Sequence, residues 1–288
     1  MMLEDQITWN RRKSYLLLFF VPLILLALIF VSGRIFVPRA SPFLILAAGS
    51  GISVLYVLYS YFRSDEMILR VVGAQKADKQ RYKQLYDLME GLSISSGTPM
   101  PELYVQDKKE INAFATGRKP EDGKVCVTRG ALEKLEKDEL EGVLAHELAH
   151  IKNHDILFTT IAVALIGMIS ILSEILLHSM FFGGDDEAPP WAIGVGIALA
   201  ILAPISARMV QLAMSRKREY LADASGAKMT RYPDGLADAL EKISNQHSKM
   251  EVNKAVSHLY FSNPFGSGKS LMSTHPPIEE RIKRLREM

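Results

Sequence analysis

The chain has 288 residues, of which 48% are hydrophobic and 23% charged, with a formal net charge of +2. These averages exclude a disordered chain, a collagen-like repeat and a disulfide scaffold. The single cysteine, Cys126, permits no internal disulfide, and the near-zero net charge gives no support for nucleic-acid binding.

The apolar residues are bunched, and the bunches organise the chain. Residues 15–33 and 40–62 carry no charge, and each run is long enough to cross a hydrocarbon core about 30 Å thick. A signal peptide is the rival for the first run, since Arg11, Arg12 and Lys13 precede it. Its apolar core exceeds the usual 7–15 residues or so and a second long run follows at once, so 1–62 is expected to be an N-terminal cytoplasmic segment followed by a membrane hairpin. Next comes a polar piece, 63–155. Helical spacing covers 70–95, short strands are expected at 103–105, 111–116 and 124–128, and helix resumes from Arg129. Two shorter uncharged runs, 156–173 and 188–207, flank a turn at Gly183–Pro190 that has no Lys or Arg. They read as a second hairpin over 156–207, with a buried core helix as the alternative. A second polar piece, 208–288, ends the chain. Basic residues collect before the first run, after the second and after the fourth. Both termini and all the polar sequence are therefore expected on the cytoplasmic side.

The chemistry sits in DELEGVLAHELAHIKNHD, residues 138–155. Asp138 and Glu141 have capping-box spacing, which places a helix start there. His146 and His150 then lie one turn apart on one face, able to hold one metal ion together. Glu147, beside the first, is placed to take a proton from a water on that ion. This is the HExxH arrangement of zinc hydrolases. A catalytic zinc needs a third protein ligand. His154 fails, because eight residues of helix separate it from His146 by roughly 12 Å. Glu219 and Asp223 in SRKREYLADASGA are four apart on one face. Read alone they form a solvated charged face. With the upstream motif they suit a His2Glu site, in which Glu219 binds the ion and Asp223 accepts the N–H of a liganding His. His146, His150 and Glu219 must meet on one side of the membrane, so 156–207 crosses twice or not at all. Glu174 and His178, also four apart, read as residues near the outer interface rather than a second metal site.

Together LAHELAHIKNHD, EYLADASGA, NAFATGR (112–118) and STHPPIEERI (273–282) resemble the HtpX-type membrane zinc proteases. These are relatives of the Ste24-type prenyl-protein proteases within the gluzincins. The resemblance implies a multi-span α-helical membrane protein with a mainly α, α+β metalloprotease domain carrying a small sheet. It implies one Zn2+ per chain, held by His146, His150 and Glu219, with Glu147 as general base and Asp223 behind the ligands. It further implies a stress-response endopeptidase of the bacterial inner membrane that acts on misfolded or damaged membrane proteins, alongside an ATP-dependent membrane protease. Asn112, Ala113, Phe114 and Ala115 match the edge strand that lies beside substrate in gluzincins, expected here as an exposed strand. His275 matches a position that contacts substrate or the transition state, or else is a helix-entry residue before Pro276. Residues 248–269 have no match in the pattern. The competing functions are a membrane metal-binding or transport protein, which has no need of Glu147, and a prenyl-peptide protease.

Overall fold

The computed structural model describes residues 19–157 with gaps between 20 and 38, then 216–246, 250, 259–262 and 276–288. The 156–207 hairpin (beyond Leu157), the first eighteen residues and His275 lie outside the described residues. The chain divides into two compact units. One is Arg11–Ser64 with Ile161–Ala213; the other is Met1–Asn10, Asp65–Thr160 and Met214–Met288.

In the first unit the chain enters helix α1, Pro42–Val71, which continues past the unit's end and is long and apolar enough to cross a membrane. At 1.5 Å per residue its 30 residues span about 45 Å. Phe43, Leu44, Ile52, Val54, Leu55 and Leu58 point outward, a surface suited to hydrocarbon rather than water. A Cβ on Gly49 would come within 3.1 Å of Leu26 and Ile29. The missing side chain is what lets the preceding apolar run pack closely here.

The second unit holds a four-stranded mixed sheet in the order β1-β2-β4-β3. The strands are β1 Gln75–Lys76, β2 Glu102–Gln106, β3 Ala113–Thr116 and β4 Lys124–Thr128. The helix expected over 70–95 is two elements with a strand between them. Gly73, at φ 69°, takes the left-handed position that ends α1, and the Ala74 N–H closes back on the Leu69 carbonyl. After β1, helix α2 runs Lys83–Ser96 and ends the same way at Gly97. β2 and β4 pair in parallel, while β3 runs antiparallel to β4 at the sheet edge, Phe114 opposite Cys126.

Among the described residues five further α-helices belong to this unit: α3 Arg129–Lys134, α4 Lys137–Lys152, α5 Arg216–Thr230, α6 Pro233–Ser244 and α7 Ile278–Arg286. α4 is the central one, buried along almost its whole length, including Leu140, Val143, Leu144, Leu148 and Ile151. Two glycines allow its neighbours to approach. A Cβ on Gly142 of α4 would lie 2.7 Å from the Leu236 nitrogen of α6, and one on Gly226 of α5 would lie 3.1 Å from the His146 nitrogen. In the first case the obstacle is backbone, which cannot swing aside. Gly142→Ala is therefore expected to destabilise the domain by about 1–3 kcal/mol despite its better helix propensity. Chemical denaturation of the purified protein reads this directly, and an unchanged midpoint contradicts the close-packing account.

Candidate metal centre

α4 starts two residues earlier than the Asp138–Glu141 spacing suggests. Glu136 is the N-cap, and it forms a reciprocal capping box with Glu139. Lys242 of α6 pairs with Glu139 at 2.7 Å, so the start is fixed by a long-range partner as well as by a local one. The helix phase that follows puts His146 and His150 on one face, their Nε2 atoms 3.1 Å apart. α5 brings Glu219 to the same point, with Oε2 3.8 Å from His146 Nε2 and Oε1 3.7 Å from His150 Nε2. One donor atom from each residue lies within 4.8 Å of the others. Two nitrogens each bound at about 2.0–2.1 Å to one tetrahedral ion would sit about 3.3 Å apart, so the spacing fits a single metal ion.

Each histidine is backed on its other nitrogen. His146 Nδ1 lies 2.9 Å from Asp223 Oδ1, and His150 Nδ1 lies 3.1 Å from Asp155 Oδ2. A proton shared with a carboxylate at Nδ1 leaves the Nε2 lone pair free to coordinate. The aspartates in turn meet arginines: Arg281 grips Asp223 at 2.7 and 2.9 Å, and Arg218 lies 3.8 Å from Asp155. The carboxylates of Glu147, Asp155, Glu219 and Asp223 thus share a largely buried space with the guanidiniums of Arg218 and Arg281. With an ion in place of the His150 proton, the carboxylates outnumber the guanidiniums, an excess that a cation would offset. The donor set and its charge both fit such an ion.

The titrations follow the same contacts. Burial holds His146 down at about 4 against the pull of Asp223, so its ring is neutral at pH 7. Burial also disfavours the charged form of His150. There the Asp155 hydrogen bond and the charges of Glu219, Asp155 and Glu147 outweigh it, lifting the ring to about 9. A cation at Nε2 competes with that proton. Burial alone would raise Asp223, but Arg281 and His146 bring it down to about 2.

Glu147, 2% exposed, lies between the charges of His150 and Glu219 and strand β3, where the Ala115 backbone N–H donates to its carboxylate. Burial and the Glu219 charge raise it to about 7, against the opposing pull of His150, Arg281 and that N–H. A raised acid is favoured in its protonated form by the fold. Its contribution to metal-free stability is full below about 4.5 and is lost as pH rises through about 7. Metal-free Glu147→Gln is therefore expected to match wild type near pH 4.5 and to exceed it by roughly 3 kcal/mol above pH 7. Denaturant midpoints across pH 4.5–8.5 check this; parallel curves contradict it.

β3 lies at the sheet edge as expected but is not exposed. Asn112, Ala113, Phe114 and Ala115 are all buried. Its residues are small or apolar on both faces, and both faces are covered: α4 on one side, Tyr260 edge-on to Phe114 at 5.2 Å on the other. The Asn112 carbonyl accepts from Thr128 N–H, so Ala113 and Ala115 turn their backbone groups to the side away from β4. There the Ala113 carbonyl accepts from Phe261 N–H at 2.8 Å, and the Asn112 amide clasps the Ser262 backbone in both directions. Phe261 also packs its ring against His146 in a T-shaped pair, 4.7 Å between centroids.

Asp155, Phe261 and Arg281 escape a reading by motif. Asp155 has a local signal, being five residues past His150 and just beyond the helix end. His154 at φ 58° turns the chain so that Asp155 comes back under His150. Phe261 lies in a stretch with no pattern, and Arg281 stands inside STHPPIEERI without a spacing that points to it.

A His–His–Glu cluster with a buried glutamate beside it, in a helical domain with one small mixed sheet, is the layout of a hydrolase that works with a metal ion. The family description "Peptidase family M48" matches residues 79–288. The chain belongs to peptidase family M48, and it is a peptidase. The HtpX-type resemblance carried by its motifs is matched by relatives called "Protease HtpX homolog". The one from Dictyoglomus thermophilum is 42% identical over 290 residues, covering 99% of this chain and 94% of the relative. That from Tropheryma whipplei strain TW08/27 is 40% identical, covering 100% and 99%. Among solved structures, S. mikatae Ste24p superimposes with a TM-score of 0.53 at 21% identity, over 97% of this chain and 66% of that one; this likeness concerns the fold.

Proposed function

We propose that this peptidase is a zinc-dependent endopeptidase of the bacterial inner membrane. On this reading the apolar runs form two hairpins, 1–62 and 156–207, and the catalytic domain is assembled from 63–155 and 208–288 on the cytoplasmic side. Its substrates are misfolded or damaged membrane proteins, and an ATP-dependent membrane protease shares the task. The observation that carries the chemistry is the convergence of His146, His150 and Glu219 donor atoms beside a buried Glu147. The basic flanks of the apolar runs support the orientation.

Zinc bound by His146, His150 and Glu219 supplies a Lewis acid that acidifies water and polarises a carbonyl. The chain's own residues do the rest. Asp223 and Asp155 hold the imidazoles with Nδ1 protonated and Nε2 turned to the ion. Glu147 takes a proton from the attacking water and passes it to the nitrogen of the leaving peptide. An extended substrate pairs with β3 at the Ala115 carbonyl, since the Ala115 N–H already donates to Glu147. Phe261, already bonded to Ala113, marks where that pairing stops. Backbone pairing reads what all unfolded segments share, which suits a quality-control protease.

The test is hydrolysis of an unfolded protein by the full chain in detergent, before and after chelation. Cleavage should fall to background when the metal is removed and return on adding zinc. Cleavage that persists in fully metal-free protein overturns the reading.

A further inference from the structure

Arg281 is the largest fully buried side chain among the described residues. The other basic residues of its helix, Lys283, Arg284 and Arg286, stay at the surface. A guanidinium taken out of water costs several kcal/mol unless its donors are matched, so its partners show what it is there for. Nε and Nη2 form a two-pronged fork on Asp223, at 2.9 Å to Oδ2 and 2.7 Å to Oδ1. Nη1 donates to the Phe261 carbonyl at 3.3 Å and comes within 4.0 Å of Glu219 Oε2. The guanidinium lies over the Phe261 ring at 4.6 Å, and that same ring forms a T-shaped pair with His146.

The fork fixes the plane of the Asp223 carboxylate. Oδ1, held by Arg281 Nη2, is also the atom that faces His146 Nδ1 at 2.9 Å. A carboxylate free to rotate could turn that oxygen away; one held at both oxygens cannot. His146 is then kept with its proton on Nδ1, its ring wedged against Phe261 and its Nε2 aimed at the Nε2 of His150 and at Glu219. Arg281 stands on a helix seated by Leu285 in the core and by Arg286 on Asp234, Asp238 and Glu241 of α6. The last turns of the chain therefore reach the metal centre through one side chain.

We propose that Arg281 is a positioning residue of the metal centre, acting through Asp223 to fix the orientation and tautomer of His146. This rests on the metallopeptidase reading above, and the two can fail separately. The full-length protein in detergent is stripped and titrated with zinc against a competing chromophoric chelator. Wild type, Arg281→Lys, Arg281→Met, Asp223→Ala and the Asp223→Ala/Arg281→Met pair are compared, and each is also loaded with cobalt(II) for its visible spectrum. Arg281→Lys keeps the charge and loses the fork. It should bind zinc about 10- to 100-fold more weakly, with an altered cobalt spectrum. Adding Arg281→Met to Asp223→Ala should weaken binding far less than it does in wild type, because the path through Asp223 is already cut and only the 3.4 Å approach of Nη2 to His146 Nδ1 remains. If Arg281→Met does not fold, Arg281→Lys decides alone. Wild-type zinc affinity and an unchanged cobalt spectrum in Arg281→Lys overturn the positioning role and leave the metallopeptidase reading standing. A wild-type chain that binds no zinc overturns both.

Discussion

Glu147→Gln should lose at least about a thousandfold in peptide hydrolysis and keep its zinc. The reason lies in the division of labour on α4. His146 and His150, one helical turn apart, converge with Glu219 as ligands, and Glu147 beside them stays outside that ligand cluster. It is buried against Ala115, and burial opposes its ionised form, the direction that suits a carboxyl that must accept and return a proton. Gln keeps the shape and removes only that capacity. General acid–base groups supply about 10²–10⁴ in rate, and Glu147 serves both halves of the reaction, so the upper part of that range applies. Elemental analysis and a peptidase assay on one preparation separate the two properties. Loss of zinc along with activity would make Glu147 a structural part of the centre instead.

Glu219→Ala should give the complementary result, losing activity and most of the metal together. Its carboxylate comes from α5, 73 residues away from His146 in sequence, and it sits 3.7 and 3.8 Å from the two Nε2 atoms. Without it two imidazoles remain, one donor short of the three that a catalytic zinc site uses. The effect on α5 itself should be small, since Glu219 is in the first turn and Ala favours helix. Thermal unfolding of the metal-free variant should therefore stay near that of metal-free wild type. Full zinc occupancy in Glu219→Ala removes this residue from the ligand set.

What the sequence makes legible here is what repeats locally. His146 and His150 at one-turn spacing, Glu219 and Asp223 at the same spacing, and the strands at 103–105 and 124–128 follow from periodicities of 3.6 and 2 that any window of the chain displays. The helix start escapes by two residues because Glu136 serves as N-cap, a residue outside the usual capping set, with Lys242 holding Glu139 from another helix. The break after α1 depends on one glycine inside a helical pattern. β1, two residues long, exists only because β2 is beside it. The burial of β3 depends on Phe261 and Tyr260, brought there from well over a hundred residues away. Arg281 is hidden for the same reason. On paper it is one of four basic residues in nine, and only tertiary packing singles it out as the one that turns inward.

The central claim is that His146, His150 and Glu219 together hold one zinc ion. Zinc K-edge X-ray absorption on the purified full-length chain tests it most directly, because it reports the ligand atoms rather than a consequence of them. The account predicts one zinc per chain with imidazole scattering from two histidines, nitrogen and oxygen neighbours at about 2.0–2.2 Å, and no sulfur. A first shell containing sulfur at about 2.3 Å, or one without imidazole scattering, would contradict it.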